Sequence, residues 1–439
     1  MLKVTDTSLK LATIFRSLKY RNYRLFFAGQ SVSLIGTWMQ RIAMPWLVYH
    51  MTGSELLLGV VSFAGQIPTF LLAPFAGVVT DRFSKYRVLI ITQVVSLVQA
   101  LILAILTLTG SIDLWQIVVL SIILGCVNAF DVPTRHSFVV EMVDNREDLG
   151  NAIALNSLMF NGARLIGPSV AGLLLAITSE GVCFLINAIS YVFVVGSLMM
   201  MTAGKQKGAG SKSHILKDLN DGLKYAFGFP PIRHLLLLLT VVSLTGMSYQ
   251  VLMPVFAKDI LQGGSQTYGF LMGAAGLGAL AGAVFLASRT TVLRLGRLVP
   301  ASTLLFGAGL IIISFSRIFS VSVLLMVVIG AGMMLQSAAS NTILQTITDD
   351  DKRGRVMSLY TMAVMGTAPF GSLLSGAMAK TIGTPYTVLI FGIITIISAL
   401  FFLRKLPELR ELVRPIYVRL GIIREVAEGI QKSEEIPGT

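Results

Sequence analysis

Windows of about 20 apolar residues recur along the 439-residue chain, each long enough to cross a bilayer as a helix. They fall at 25–49, 59–80, 88–109, 116–131, 152–177, 182–202, 234–257, 269–287, 298–316, 322–345, 356–379 and 386–403. Hydrocarbon offers no partner to backbone N–H and C=O groups, so a span of this kind must bond internally as a helix. Charged residues are 13% of the chain, against about 25% in soluble domains, and leave no surface for a large aqueous domain. The expected fold class is an all-α membrane protein with twelve transmembrane helices.

Twelve crossings bring both ends of the chain to one side. On that topology the lysines and arginines gather on the terminal side. The exceptions are Lys258, Arg317 and Lys380 on the other side, and Arg41 and Arg164 inside spans. This is the positive-inside pattern, which predicts cytoplasmic termini. The net charge of +13 therefore expresses topology and contact with anionic lipid, not a nucleic-acid footprint. Cys126 and Cys183 lie in apolar runs and predict buried thiols, with no disulfide framework. Residues 1–24 carry Lys3, Lys10, Arg16, Lys19, Arg21 and Arg24 ahead of a span too long for a signal-peptide core; they read as a cytoplasmic lead-in without a cleavable signal.

The hydrophilic stretch 203–233, with Pro230-Pro231, separates a bundle at 25–202 from one at 234–403. The halves repeat. Gly150, Leu155, Gly162, Gly167 and Gly172 of the fifth span fall without a gap on Gly354, Leu359, Gly366, Gly371 and Gly376 of the eleventh, each run following an acidic stretch. Duplication of six helices predicts two pseudo-symmetric six-helix bundles with a binding site at the midplane between them. Gly162, Gly167, Pro168 and Gly172 are assigned to helix packing, since small residues let backbones approach. The tail, 404–439, is predicted to lie on the cytoplasmic leaflet as an amphipathic helix kinked near Pro415.

No metalloprotease, nucleophile-elbow or phosphate-loop pattern occurs, so no enzymatic activity, metal or cofactor is expected. Attention falls on charge within the spans. An arginine at a helix centre costs about 2.5–3.5 kcal/mol on insertion scales and usually faces a cavity or a partner. Arg164 stands near the middle of the fifth span, with Asn161 one turn earlier. Arg41 ends a polar stripe of Gln30, Ser33, Thr37 and Gln40 in the first. Tyr249, Gln250, Gln336 and Asn341 are further candidates to line a cavity. No carboxylate falls near a midplane; the deepest, Asp81 and Asp131, are placed at cytoplasmic helix ends. Guanidinium without carboxylate favours an anionic ligand. Bonds from Arg164 to carbonyls freed near Pro168, and snorkelling of Arg41 to the outer interface, are the structural alternatives.

Between the second and third spans lies Gly77-Val78-Val79-Thr80-Asp81-Arg82-Phe83-Ser84-Lys85-Tyr86-Arg87. Its spacing resembles the loop signature of the major facilitator superfamily of transporters. Gly36–Gln40 with Trp46–Tyr49, Pro74–Arg87, Asp131–Arg135 and Asn151–Gly172 resemble the branch holding bacterial drug exporters and the enterobactin exporter. The resemblance implies a monomeric alternating-access exporter in the bacterial inner membrane, proton-coupled, with a small-molecule substrate. It further implies a cytoplasmic gate of Gly77, Asp81, Arg82, Lys85, Arg87, Asp131 and Arg355, in which Asp81 and Arg82 meet Asp131 and Asp81 caps the eleventh span near Arg355. Where related proton-coupled exporters often carry arginine, four residues before Gly125, this chain has Ser121. A broad multidrug exporter, a lysophospholipid transporter and a membrane scaffold acting through the tail remain alternatives.

Overall fold

The computed structural model describes residues 15–143, 145–202, 215–289 and 291–423, with the side chains of 73–74, 77–82, 146 and 215–221 outside that description. Every described element is helical. The first bundle comprises α1 (Arg21–Thr52), α2 (Glu55–Arg82), α3 (Lys85–Leu108), α4 (Leu114–Glu141), α5 (Arg146–Ile177) and α6 (Glu180–Met199). A connecting helix α7 (Ile215–Gly228) leads to α8 (Pro230–Ile260), α9 (Ser265–Ala287), α10 (Leu295–Phe315), α11 (Phe319–Ile347), α12 (Asp350–Ile382) and α13 (Thr384–Arg419). Eleven of these are long and apolar enough to cross a membrane. The twelfth crossing is α1, whose 32 residues have the length but whose polar stripe lowers its hydropathy.

Local chemistry sets the helix ends. Gly53 closes α1 in the left-handed region at φ +59°, its N–H bonded to the Tyr49 carbonyl, a conformation that a Cβ disfavours. Asn145 caps α5 by accepting from the Glu147 N–H, and Gln116 Oε1 accepts from the Asp113 N–H at the start of α4. Pro230 and Pro231 open α8, where a missing N–H costs nothing.

Packing repeats between the halves. The pairs α2–α4 and α3–α6 correspond to α9–α11 and α10–α13, and the seams between bundles, α5–α9 and α12–α2, correspond to each other. Both seams tighten at the face away from the termini, and glycines make this possible. A Cβ on Gly172 would lie 2.7 Å from Gly269 Cα, and one on Gly376 would lie 3.0 Å from Gly59 Cα. Trp46 stacks on Tyr268 there at 6.0 Å, and Gln66 Nε2 donates to Ser372 Oγ at 3.3 Å. Among the described residues, glycine contacts along the seams continue toward the termini to Arg164–Gly276 and Phe70–Gly366. Helices of the second half are also interrupted: α8 widens into π-type turns at Val242–Gly246 and Phe256–Ile260, and α12 at Met362–Gly366. Such turns loosen the helical ladder at points where a helix can bend.

Three expectations need correction. The fourth span does not end at Asp131 but continues as α4 to Glu141, because that carboxylate is compensated inside the bundle. The tail does not start a separate surface helix at 404. Instead α13 runs unbroken to Arg419 through Pro407 and Pro415, burying Leu406, Leu409 and Val413 against protein. Its apolar stripe found a helix face before it found lipid. Of the four packing residues, Gly162 makes no close approach, since a Cβ there would meet nothing within 4 Å. Residues 1–14, 203–214 and 424–439 lie outside the described residues.

Candidate functional site

The arginines inside the spans converge on one indole. Trp38 sits three residues before Arg41, on the same face of α1, and the Arg41 guanidinium lies 4.8 Å from its ring centroid. Arg164 approaches the same ring from α5, at 5.8 Å. Gly167, one turn beyond Arg164, brings the backbones together: a Cβ there would lie 2.5 Å from Trp38 Cβ. Phe160 adds an edge-on contact to Trp38 at 5.8 Å. Arg164 is half-buried, whereas Arg41 keeps solvent access although Tyr191, Arg135 and Arg164 surround it.

Among the described residues neither guanidinium has a carboxylate partner or a hydrogen bond. Cation–π contact contributes about 0.5–2 kcal/mol per pair and leaves all the N–H donors open. Two such groups beside one aromatic plane offer a delocalised or carboxylate anion paired hydrogen bonds and a stacking surface. Across the bundle interface Tyr249 lies within the field of Arg164. Its ring packs edge-on against Phe306 at 6.2 Å, and its buried hydroxyl finds no well-formed hydrogen bond among the described residues.

The remaining polar candidates divide. Gln40 faces away from Arg41, into the first bundle: it donates to Gln99 Oε1 at 3.2 Å and accepts from Asn187 Nδ2 at 2.7 Å, tying α1 to α3 and α6. Thr37 lies 3.3 Å from the Tyr191 hydroxyl, and Gln30 is buried. The stripe therefore holds the bundle together, and only Arg41 leaves it for the interior space. Gln250 is half-buried with Nε2 3.9 Å from Met333 Sδ. Gln336 is fully buried and accepts from Ser337. Asn161 donates to the Ser157 carbonyl, and Asn341 accepts from Gln345 within α11.

Of the gate residues, Asp131 is buried 10 residues before the end of α4. Its Oδ1 accepts from Thr92 Oγ1 (2.9 Å) and Gln93 Nε2 (2.7 Å), and its Oδ2 pairs with Arg135 at 3.1 Å. Lys85 pairs with Glu141 at 2.6 Å rather than with Asp131. Arg87 is exposed at the start of α3, and Arg355 packs beside Gly222 of α7. Gly77 and the side chains of Asp81 and Arg82 lie outside the description.

Two duplicated six-helix bundles meeting at an internal polar site define a secondary transporter of the major facilitator type, a membrane protein that moves a small molecule and is not an enzyme. The chain belongs to the transmembrane secretion effector family of that superfamily, which it matches over residues 12–415. It is 27% identical to the staphyloferrin A transporter of Staphylococcus aureus, covering 86% of this chain and 95% of that one. The multidrug efflux pump Tap of Mycolicibacterium fortuitum is 24% identical, with 84% and 92% covered. Macrolide efflux protein A of Streptococcus pyogenes is 22% identical, with 87% and 96% covered. Among solved structures, a POT family transporter in complex with a thioalcohol-conjugated peptide superposes with a TM-score of 0.70 at 12% identity, covering 89% of this chain and 96% of that one. The nucleoside transporter NupG gives 0.67 at 13% identity, with 88% and 98% covered.

Two participants escaped the sequence reading. Trp38 appeared there only as part of a motif, although its i, i+3 spacing from Arg41 signals a shared face. The second is the bond between Tyr49 and Asp259, 210 residues apart.

Proposed function

We propose that the protein exports an amphipathic anionic metabolite or drug, a siderophore in the favoured case, from the bacterial cytoplasm by alternating access. The observation that carries this reading is the pair of carboxylate-free guanidiniums on Trp38. An anion arriving between them gains bonds that no described side chain satisfies. The relative named for staphyloferrin A agrees with such a cargo. Close glycine contacts at the face away from the termini support an inward-open reading, with the termini cytoplasmic by the distribution of Lys and Arg. Proton coupling is assigned to Asp131 and Asp81, which also take part in the cytoplasmic gate, and the working unit is a monomer.

The test is proteoliposomes loaded with a pH-sensitive dye and challenged with a catecholate siderophore, then with a cationic dye. Proton movement driven by the anion and lost in Arg164→Ala supports the reading. Movement driven by the cation alone overturns the charge argument and leaves a multidrug exporter. The efflux pumps among the relatives and the aromatic wall of Trp38 and Phe160 favour that second reading.

A further inference from the structure

A groove of about 250 Å³ opens between α8 and α12, with Phe70 of α2 at its edge, away from the two arginines. Phe70, Leu237, Thr240, Met362 and Phe370 line it within the spans, and Phe227 of α7 stands at its terminal end. The π-type turn Met362–Gly366 forms one wall, and the Phe70 and Phe370 rings meet edge-on at 6.2 Å as its floor. Gly366 lets the Phe70 ring pack directly on α12, since a Cβ there would lie 2.6 Å from Phe70 Cδ2. Leu237, Met362 and Phe370 are exposed within the spans, which leaves one side of the groove open.

Charge marks its terminal mouth. Arg233 lies one turn before Leu237 on the same face of α8, and Lys224 lies one turn before Phe227 on α7. The nearby carboxylate Glu408 is already paired with Lys405 at 2.9 Å. Apolar walls within the membrane and cations at headgroup depth match one ligand chemistry, an acyl chain beneath an anionic headgroup.

We propose that this groove binds one acyl chain of an anionic phospholipid from the leaflet on the terminal side. The headgroup lies over Lys224 and Arg233 and the chain lies between α8 and α12, against Phe70 of α2. The chain packs where Phe70 brings the first bundle against α12 of the second. Bound lipid therefore favours the arrangement seen here over one in which α8, α12 and Phe70 close the groove. The proposal does not depend on which cargo the arginines hold.

The full chain is placed in phosphatidylcholine nanodiscs containing a small fraction of phosphatidylglycerol with a photoreactive group in its acyl chain. Adducts are mapped after illumination. Saturable labelling of α8 and α12 around Leu237 and Met362 is expected, competed by unlabelled phosphatidylglycerol. It should fall about tenfold when the groove is filled by Leu237→Trp or, independently, by Thr240→Phe. Labelling spread evenly over outward positions such as Leu324 of α11, or unaltered in both variants, overturns the site. So does equal competition by phosphatidylcholine, which would remove the role of the cations.

Discussion

The Tyr49 hydroxyl at the end of α1 donates a hydrogen bond to Asp259 Oδ2 of α8, joining the first bundle to the second at the face away from the termini. Lys258 lies 5.5 Å from the centre of the same tyrosine ring, so phenol, carboxylate and ammonium form one cluster across the seam. A hydrogen bond to an ionised group contributes about 1.5–3 kcal/mol, with the lower end suited to this partly exposed position. Tyr49→Phe should therefore shift the closed population of this face by about tenfold. Spin labels placed near Gly53 and Gly263 would read a longer distance distribution. An unchanged distribution would mean that the glycine contacts alone hold the seam.

Those glycine contacts make a separate prediction. Gly172→Val puts side-chain atoms into the backbone of α9, where no rotamer change gives relief, and should cost several kcal/mol by overpacking or force the seam apart. Gly162→Ala, on the same helix but with open space, should leave the thermal midpoint and transport unaltered. Equal effects from the two would reject the assignment of Gly172 to the seam.

At the arginine site, Trp38→Ala should weaken both cation–π pairs, together about 1–4 kcal/mol, and raise the KM for an anionic cargo. Trp38→Phe, which keeps an aromatic plane, should recover part of the loss. Arg164→Lys keeps the charge without the planar fork and should recover less than half of wild-type uptake if paired hydrogen bonds matter. Full recovery by lysine would show that charge alone suffices.

Asp131→Asn leaves the largely buried Arg135 guanidinium without its carboxylate. Breaking one partner of a buried pair costs about 3–5 kcal/mol, so a marked drop in thermal midpoint is expected. Adding Arg135→Gln should restore most of that loss. If the single variant keeps its stability but loses proton movement, the residue serves coupling more than architecture.

Lys19 offers a pH test outside the spans. A hydrogen bond to Asp148 holds its ammonium above the ordinary value of 10.5. For a base whose folded value is raised, the contribution is complete below the unfolded value and disappears as pH rises through the folded one. Contact between the Arg16–Lys19 turn and α5 should thus persist at neutral pH and loosen above pH 10.5, read as faster amide exchange at Ser17. Lys19→Met should remove the alkaline step.

Hydropathy, the one-sided distribution of Lys and Arg and the repeat of Gly150–Gly172 in Gly354–Gly376 were enough for the class of fold. Each reports a property of the solvent or of the duplication, and bilayer physics converts it directly into crossings and symmetry. The candidate site was legible only as far as Arg41 and Arg164, because an unpaired charge in hydrocarbon needs a reason to be there. Helical periodicity shows which residues share a face, yet it does not say what that face meets. That is why Gln40 and Arg41, adjacent in the chain, part company: one bonds α3 and α6, and the other turns to Trp38. It is also why Asp131 looked like a helix end. The compensating Thr92 and Gln93 lie 39 and 38 residues away, and nothing local announces them. Composition and period thus decided the membrane, the crossings and the duplication. The meeting of Trp38 with two arginines, the closure of Tyr49 on Asp259 and the docking of α13 depended on contacts between distant segments, which only the packed helices bring within bonding distance.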